Sequence, residues 1–160
     1  MSELAQTHVG SGKVMTVLGP IAAADLGPTL MHEHILNDCR CWWNKPAEAK
    51  RECLARQRVS PAILGELRMD PFVNLDNCAL DDEAAAIEEL KPVAALGGRT
   101  VVDPTCRGIG RNPEALARIA KATELNIVMG AGYYLQTSHP ANLAGMSADA
   151  VADEDRKSVV

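Results

Sequence analysis

Apolar residues along this chain fall into short unbroken runs and longer segments with helical spacing, and their alternation predicts an α/β fold. Val14 to Leu18 is a β-rich run closed by Gly19-Pro20, and Leu26 to Leu36 is a second extended stretch broken by Gly27-Pro28. From Asp82 the period becomes helical. Ile87, Leu90 and Ala94 form an apolar stripe, Asp81 or Asp82 supplies a cap, and Gly97-Gly98 ends the segment. Pro92 conflicts with that helix: it lacks the amide hydrogen for the bond back to Glu88, which predicts a kink or an early stop. Thr100-Val101-Val102 then reads as a buried parallel strand ending in Asp103-Pro104-Thr105. Asn112-Pro113-Glu114 opens the next helix, with Leu116, Ile119, Ala120 and Thr123 on one face and Glu114 paired with Arg118 at i, i+4 on the other. Ile127-Val128-Met129 is the following buried strand, Gly130-x-Gly132-Tyr133-Tyr134 turns out of it, and Ser147 caps a last helix.

Two regions break this rhythm. Residues 1–13 are polar, glycine-containing and without periodicity, so they read as a flexible lead in which His8 is a solvated bystander. Residues 37–82 form an excursion far longer than the connection of about 2 to 6 residues usual in such units. Within it, Ala47 to Val59 predicts a charged helix, Pro61 to Met69 a second short one, and Asp70-Pro71 a turn.

Composition narrows the function classes. A chain of 160 residues suffices for one domain with a core. A net charge of −5, with no Lys/Arg cluster, excludes the electrostatic footprint of a nucleic-acid binder. No run approaches the roughly 18 apolar residues of a membrane span, and the N-terminus lacks a signal pattern, so a soluble cytoplasmic protein is expected. Five cysteines without framework spacing predict reduced thiols.

The candidate chemistry sits late in the second extended stretch. In a strand, alternate residues share a face, so His32 and His34 would project together, with Glu33 opposite. Two imidazoles so placed could share a metal ion; equally, they could be two satisfied histidines at a strand end, and spacing alone leaves both readings open. A zincin-type motif fails because Leu36 stands where the second histidine of H-E-x-x-H is needed. Cys39-x-Cys41 has no second pair to complete a soft-metal site, and Gly108-x-Gly110 is no dinucleotide fingerprint because Pro113 replaces the third glycine. Asp103, at a strand exit, could orient a polar neighbour or simply start a turn before Pro104.

Val14-Met15-Thr16-Val17-Leu18-Gly19-Pro20, Asp25-Leu26-Gly27-Pro28-Thr29-Leu30-Met31-His32-Glu33-His34, Gly97-Gly98-Arg99-Thr100-Val101-Val102-Asp103-Pro104-Thr105, Gly108-Ile109-Gly110-Arg111-Asn112-Pro113 and Ile127-Val128-Met129-Gly130-Ala131-Gly132-Tyr133-Tyr134 follow one another in this order. This series resembles the phosphotriesterase family of the amidohydrolase superfamily, nearest its phosphotriesterase-related branch. The resemblance implies residues 14–154 are the N-terminal part of a (β/α)8 TIM barrel, incomplete because such barrels take about 250 residues. Residues 155–160 leave the family pattern and match a reading frame of a sequencing adapter, so they are expected to be a non-native tail. An open parallel sheet of this kind would keep an unpaired edge and an uncovered apolar face, an aggregation liability.

By the same resemblance, His32 and His34 are metal ligands in a site for two divalent metal ions, Zn²⁺ foremost, while the bridging ligand, a later histidine pair and an aspartate fall outside this chain. Catalytic residues are therefore unknown here, and neither Asp103 nor the loop residue His139 is expected to ligate. Tyr133 and Tyr134 are expected to approach the substrate, though capping of a core is an equally open role. Trp42 and Trp43 are expected to pack the excursion onto the barrel rim, with a wall over the pocket as the alternative. The implied activity is hydrolysis by metal-activated water of a small-molecule ester-like bond: a phosphotriester, lactone, carboxyl ester or related amide. The chain as written is expected to be inactive, and the full-length protein to be capable of homo-oligomerisation. The alternative is a catalytically inactive half-barrel that binds at most metal or a partner.

Overall fold

The computed structural model describes residues 12–157. His8 and most of the expected lead lie outside the described residues, as do positions 158–160 of the expected tail. Strand β1 (Lys13–Thr16) pairs antiparallel with β2 (Gly19–Ala22), so Gly19-Pro20 opens the second strand instead of closing the first. Thr16 holds the turn: its Oγ1 donates to Gly19 O at 2.7 Å and accepts from Leu18 N at 3.2 Å. The hairpin docks through Val17 N, which donates to the carbonyl of Ile127.

The central sheet has three parallel strands. β3 (Thr29–Leu30) and β7 (Asn126–Met129) flank β6 (Thr100–Asp103), and the excursion's own strands β4 (Asn37–Asp38) and β5 (Ala79–Leu80) pair separately. Val101 and Ile127 are completely buried, because they face helix α4 (Pro113–Thr123) and share one core with Leu90, Leu116 and Ile119. The four residues predicted for the buried face of α4 all are buried, and Asn112 Oδ1 accepts from Ala115 N as its cap. Helix α3 (Glu83–Ala95) starts at Asp82, whose Oδ1 accepts from Ala84 N and Ala85 N. A last helix, α5 (Ala148–Lys157), begins where Ser147 Oγ accepts from Ala150 N.

Four expectations are corrected. The extended stretch Leu26 to Leu36 is a strand only at Thr29–Leu30, in register with Thr100 and Val101. Continuing that register would give the carbonyl of Val102 the amide of His32, yet Glu33 N donates to it, at 3.0 Å. One extra residue is thus accommodated at Met31-His32, a bulge that frees the histidines from the ladder.

Pro92 neither stops nor shortens α3, which runs on to Ala95. Pro92 and Glu88 both lie on the exposed side, so the carbonyl that loses its helical partner faces water.

Arg118 does not pair with Glu114. It reaches across to Glu83 on α3, whose carboxylate meets two of its N–H groups.

The helix expected over Ala47 to Val59 is reduced to α1 (Ala49–Glu52) and one 3₁₀ turn over Leu54–Arg56. Long-range bonds compete with the helix there. Asn74 Nδ2 donates to Leu54 O and Gln57 O at 2.7 and 2.8 Å, and Leu75 N donates to Ala55 O. The excursion closes on its own small core of Leu54, Ile63, Leu67 and Val73, with α2 (Leu64–Met69) supplying Leu67. Trp43 Nε1 donates to Val73 O at 3.1 Å, a bond within the excursion that ties its two ends together and not onto the barrel rim.

Candidate metal centre

The bulge after β3 leaves His32 exposed and His34 half-buried at the carboxyl end of the first parallel strand, the end where sites of such sheets form. Their rings lie edge to face with centroids 5.5 Å apart. With metal–nitrogen bonds of about 2 Å, one ion fits between two rings so spaced. The chemistry of this donor set suits a borderline cation such as Zn²⁺. Among the described residues, no third His, Cys, Asp or Glu stands near enough to complete a metal cluster. The pair therefore fits as half of a site.

His34 is held from behind. Its Nδ1 lies 2.8 Å from Thr105 Oγ1, and that hydroxyl donates to the buried carbonyl of Leu36 at 3.1 Å. Thr105 is completely buried, two residues past the end of β6, and its amide donates to Asp103 Oδ1 at 2.8 Å. Asp103 is buried as well, and its Oδ2 makes no hydrogen bond among the described residues. Gly130 N donates to the Asp103 carbonyl, so the exits of β6 and β7 are bonded together directly beside this group. The Asp103 Oδ1 bond to an amide two residues on is an Asx turn, the turn-starting role the sequence offered, and it fixes the backbone that carries the Thr105 hydroxyl.

Sequence reasoning missed Thr105. It stands 71 residues from His34, and the only local signal is its place at a strand exit, where side chains turn toward the mouth of the sheet.

The two tyrosines at the β7 exit make contacts of their own. Tyr133 Oη donates to Glu154 Oε2 at 3.0 Å, and Glu154 also pairs with Arg107, which ties the β6 and β7 exits to α5. Tyr134 is exposed and its ring sits 5.9 Å from that of Trp42, which in turn packs edge-on against Phe72 at 4.7 Å. Trp42 thus bridges the excursion and the β7 exit. His139 stands by this loop, with Nε2 3.3 Å from the Tyr134 carbonyl and its ring 6.0 Å from Tyr133. It is not grouped with His32 and His34.

A cleft of about 590 Å³ opens along the outer edge of β3, between α3 and the excursion. It is lined by the apolar Leu30, Ile35, Leu90 and Val93 and by Glu33 and His34. All five cysteines are reduced, and burial pushes the thiols of Cys39, Cys78 and Cys106 above their ordinary range. Beside them, the Arg40 guanidinium holds Asp38 below the usual carboxylate range.

Comparison with known proteins bears on this geometry. The model of the phosphotriesterase family matches residues 12–156. An N-acetyltaurine hydrolase of Salmo salar is 35% identical over 144 residues, covering 89% of this chain and 41% of that protein. A phosphotriesterase-related protein of Nematostella vectensis is 38% identical over 136 residues, covering 83% and 39%. In three dimensions, a resiniferatoxin-binding protein from Rhodobacter sphaeroides superposes with a TM-score of 0.87 at 59% identity, covering 96% of this chain and 43% of that one. The chain spans about two fifths of the length of these relatives.

Proposed function

This chain belongs to the phosphotriesterase family, and from that premise we propose that it carries the first ligand pair of a metal-dependent hydrolase. The observation that carries the reading is the edge-to-face pairing of His32 and His34 at the exit of the first strand of an incomplete (β/α)8 barrel. In the whole protein these residues would hold one of two divalent ions, which when bound supply Lewis-acid activation of water and of the bond under attack. Thr105 and Asp103 orient His34, and the Trp42–Tyr134 contact frames the mouth of the sheet. The substrate is a small molecule with an ester-like bond; the related N-acetyltaurine hydrolases bring amides within that class. The five reduced cysteines and the acidic net charge support a cytoplasmic setting and a partner set without nucleic acid. Among the described residues no helix is long and apolar enough to cross a membrane.

The second reading, a catalytically inactive half-barrel that binds at most metal or a partner, is favoured for the 160-residue chain by itself. Two imidazoles do not make a closed catalytic site, and no further cluster completes them among the described residues.

Calorimetric titration of the purified chain with Zn²⁺, followed by assays on a phosphotriester, a lactone, an aryl ester and an N-acyl amide, tests both. We expect weak binding that is lost in His32→Ala and His34→Ala, and no turnover. Binding that survives both substitutions would sink the ligand assignment, and zinc-dependent turnover would sink the inactive reading.

A further inference from the structure

We propose that Thr105 is a positioning residue that locks neutral His34 in the tautomer with its proton on Nδ1, leaving the Nε2 lone pair bare. A threonine hydroxyl has one hydrogen and two lone pairs. Here the hydrogen is committed to the carbonyl of Leu36, a residue only 6% exposed, so water is a poor substitute donor. The contact between Thr105 Oγ1 and His34 Nδ1 at 2.8 Å must then be donated by the ring. A neutral imidazole carries one N–H, so Nε2 is left as an acceptor or ligand atom.

The hydroxyl is itself immobilised. Thr105 is completely buried, and its amide is fixed by Asp103 Oδ1 at 2.8 Å. Asp103 is in turn completely buried, and its backbone carbonyl accepts from Gly130 N. The chain Gly130–Asp103–Thr105–His34 thus runs from the third parallel strand through the second to the first. Adjoining strands of the barrel set the protonation pattern of a side chain that neither of them carries. His32 has no such support: it makes no hydrogen bond among the described residues and its ring is exposed. The two histidines are therefore unequal, one preset and one free to adjust. That Nε2 of His34 meets a metal rests on the functional reading above; the tautomer does not.

The test is long-range ¹H–¹⁵N correlation of the imidazoles in the full ¹⁵N-labelled, metal-free chain, under conditions where His34 is neutral, with His34 assigned by its loss in His34→Gln. The wild type is expected to show a protonated Nδ1 and a bare Nε2 at His34. Thr105→Val, nearly isosteric but without the hydroxyl, is expected to shift His34 toward the Nε2–H form, and Thr105→Ser to restore the wild-type pattern. Competition titration with Zn²⁺ alone should show affinity about 10- to 100-fold weaker in Thr105→Val and recovered in Thr105→Ser. A wild-type His34 with its proton on Nε2 overturns the proposal outright, whether or not any variant folds. So does a Thr105→Val spectrum that keeps the Nδ1–H form. An Nδ1–H tautomer lost in Thr105→Val, in a chain that binds no Zn²⁺, sustains the proposal and overturns the metal reading instead.

Discussion

Arg118 of α4 grips Glu83, the first residue of α3, through Nε and a terminal nitrogen on both carboxylate oxygens, across 35 residues of chain. That hydrogen bonding holds the Glu83 carboxyl below its ordinary value of 4.5. A folded-state pKa below the unfolded one stabilises the fold above the unfolded value, and the contribution disappears as pH falls through the folded value. The thermal midpoint of the wild type should therefore fall on acidification below about 4.5 by more than that of Glu83→Gln. Both side chains are substantially exposed, so the difference should be small and should shrink in high salt. Midpoints recorded against pH for the two proteins check this; parallel curves would refute it.

Asn74 should be the most sensitive polar residue of the excursion. Completely buried, it donates to Leu54 O and Gln57 O and accepts from Asn77 N, so it stands in for the helix that segment does not complete. Asn74→Ala strands those carbonyls and is expected to cost about 2–4 kcal/mol in urea unfolding. Protease cleavage should rise between residues 44 and 70 before it rises in α4.

Gly108 and Gly145 should respond oppositely to alanine. Gly108 has a φ of +93°, and a Cβ there would lie 2.1 Å from the carbonyl oxygen of Ser138. Gly108→Ala should destabilise by at least about 1–3 kcal/mol, because strain and a backbone clash act together. Gly145 has open space around its Cα, and Gly145→Ala should be neutral or stabilising by up to about 1 kcal/mol. Chemical denaturation of both variants is the check.

Cysteine alkylation should be ordered by burial. Cys53 is exposed, whereas Cys78 and Cys106 are buried, and burial raises their thiol pKa values and so lowers the reactive thiolate at neutral pH. Mass spectrometry of the native chain under iodoacetamide should show Cys53 modified first. Cys78, whose Sγ donates to Asn74 O at 3.1 Å, should follow only as the excursion opens, and therefore faster in Asn74→Ala.

What the sequence by itself determined is what depends on neighbours in the chain. Asn112 and Asp82 cap their helices because a cap needs only the next three amides. Leu116, Ile119, Ala120 and Thr123 share a buried face because 3.6 residues make a turn. Thr100 to Val102 and Ile127 to Met129 form parallel strands because continuous β-rich runs between helices have no other place to bury both faces. Only the tertiary structure decided which distant group each polar side chain meets. Arg118 had Glu114 four residues away and took Glu83, since packing of α3 on α4 brought that carboxylate within reach. Leu54 and Gln57 lost their helix to Asn74. His32 and His34 were adjacent in any reading, but the bulge that presents them and the Thr105 hydroxyl that holds one of them depend on a register between strands some 70 residues apart. A hydrogen bond has no sequence range: its strength is local in space, and space is assembled by the core.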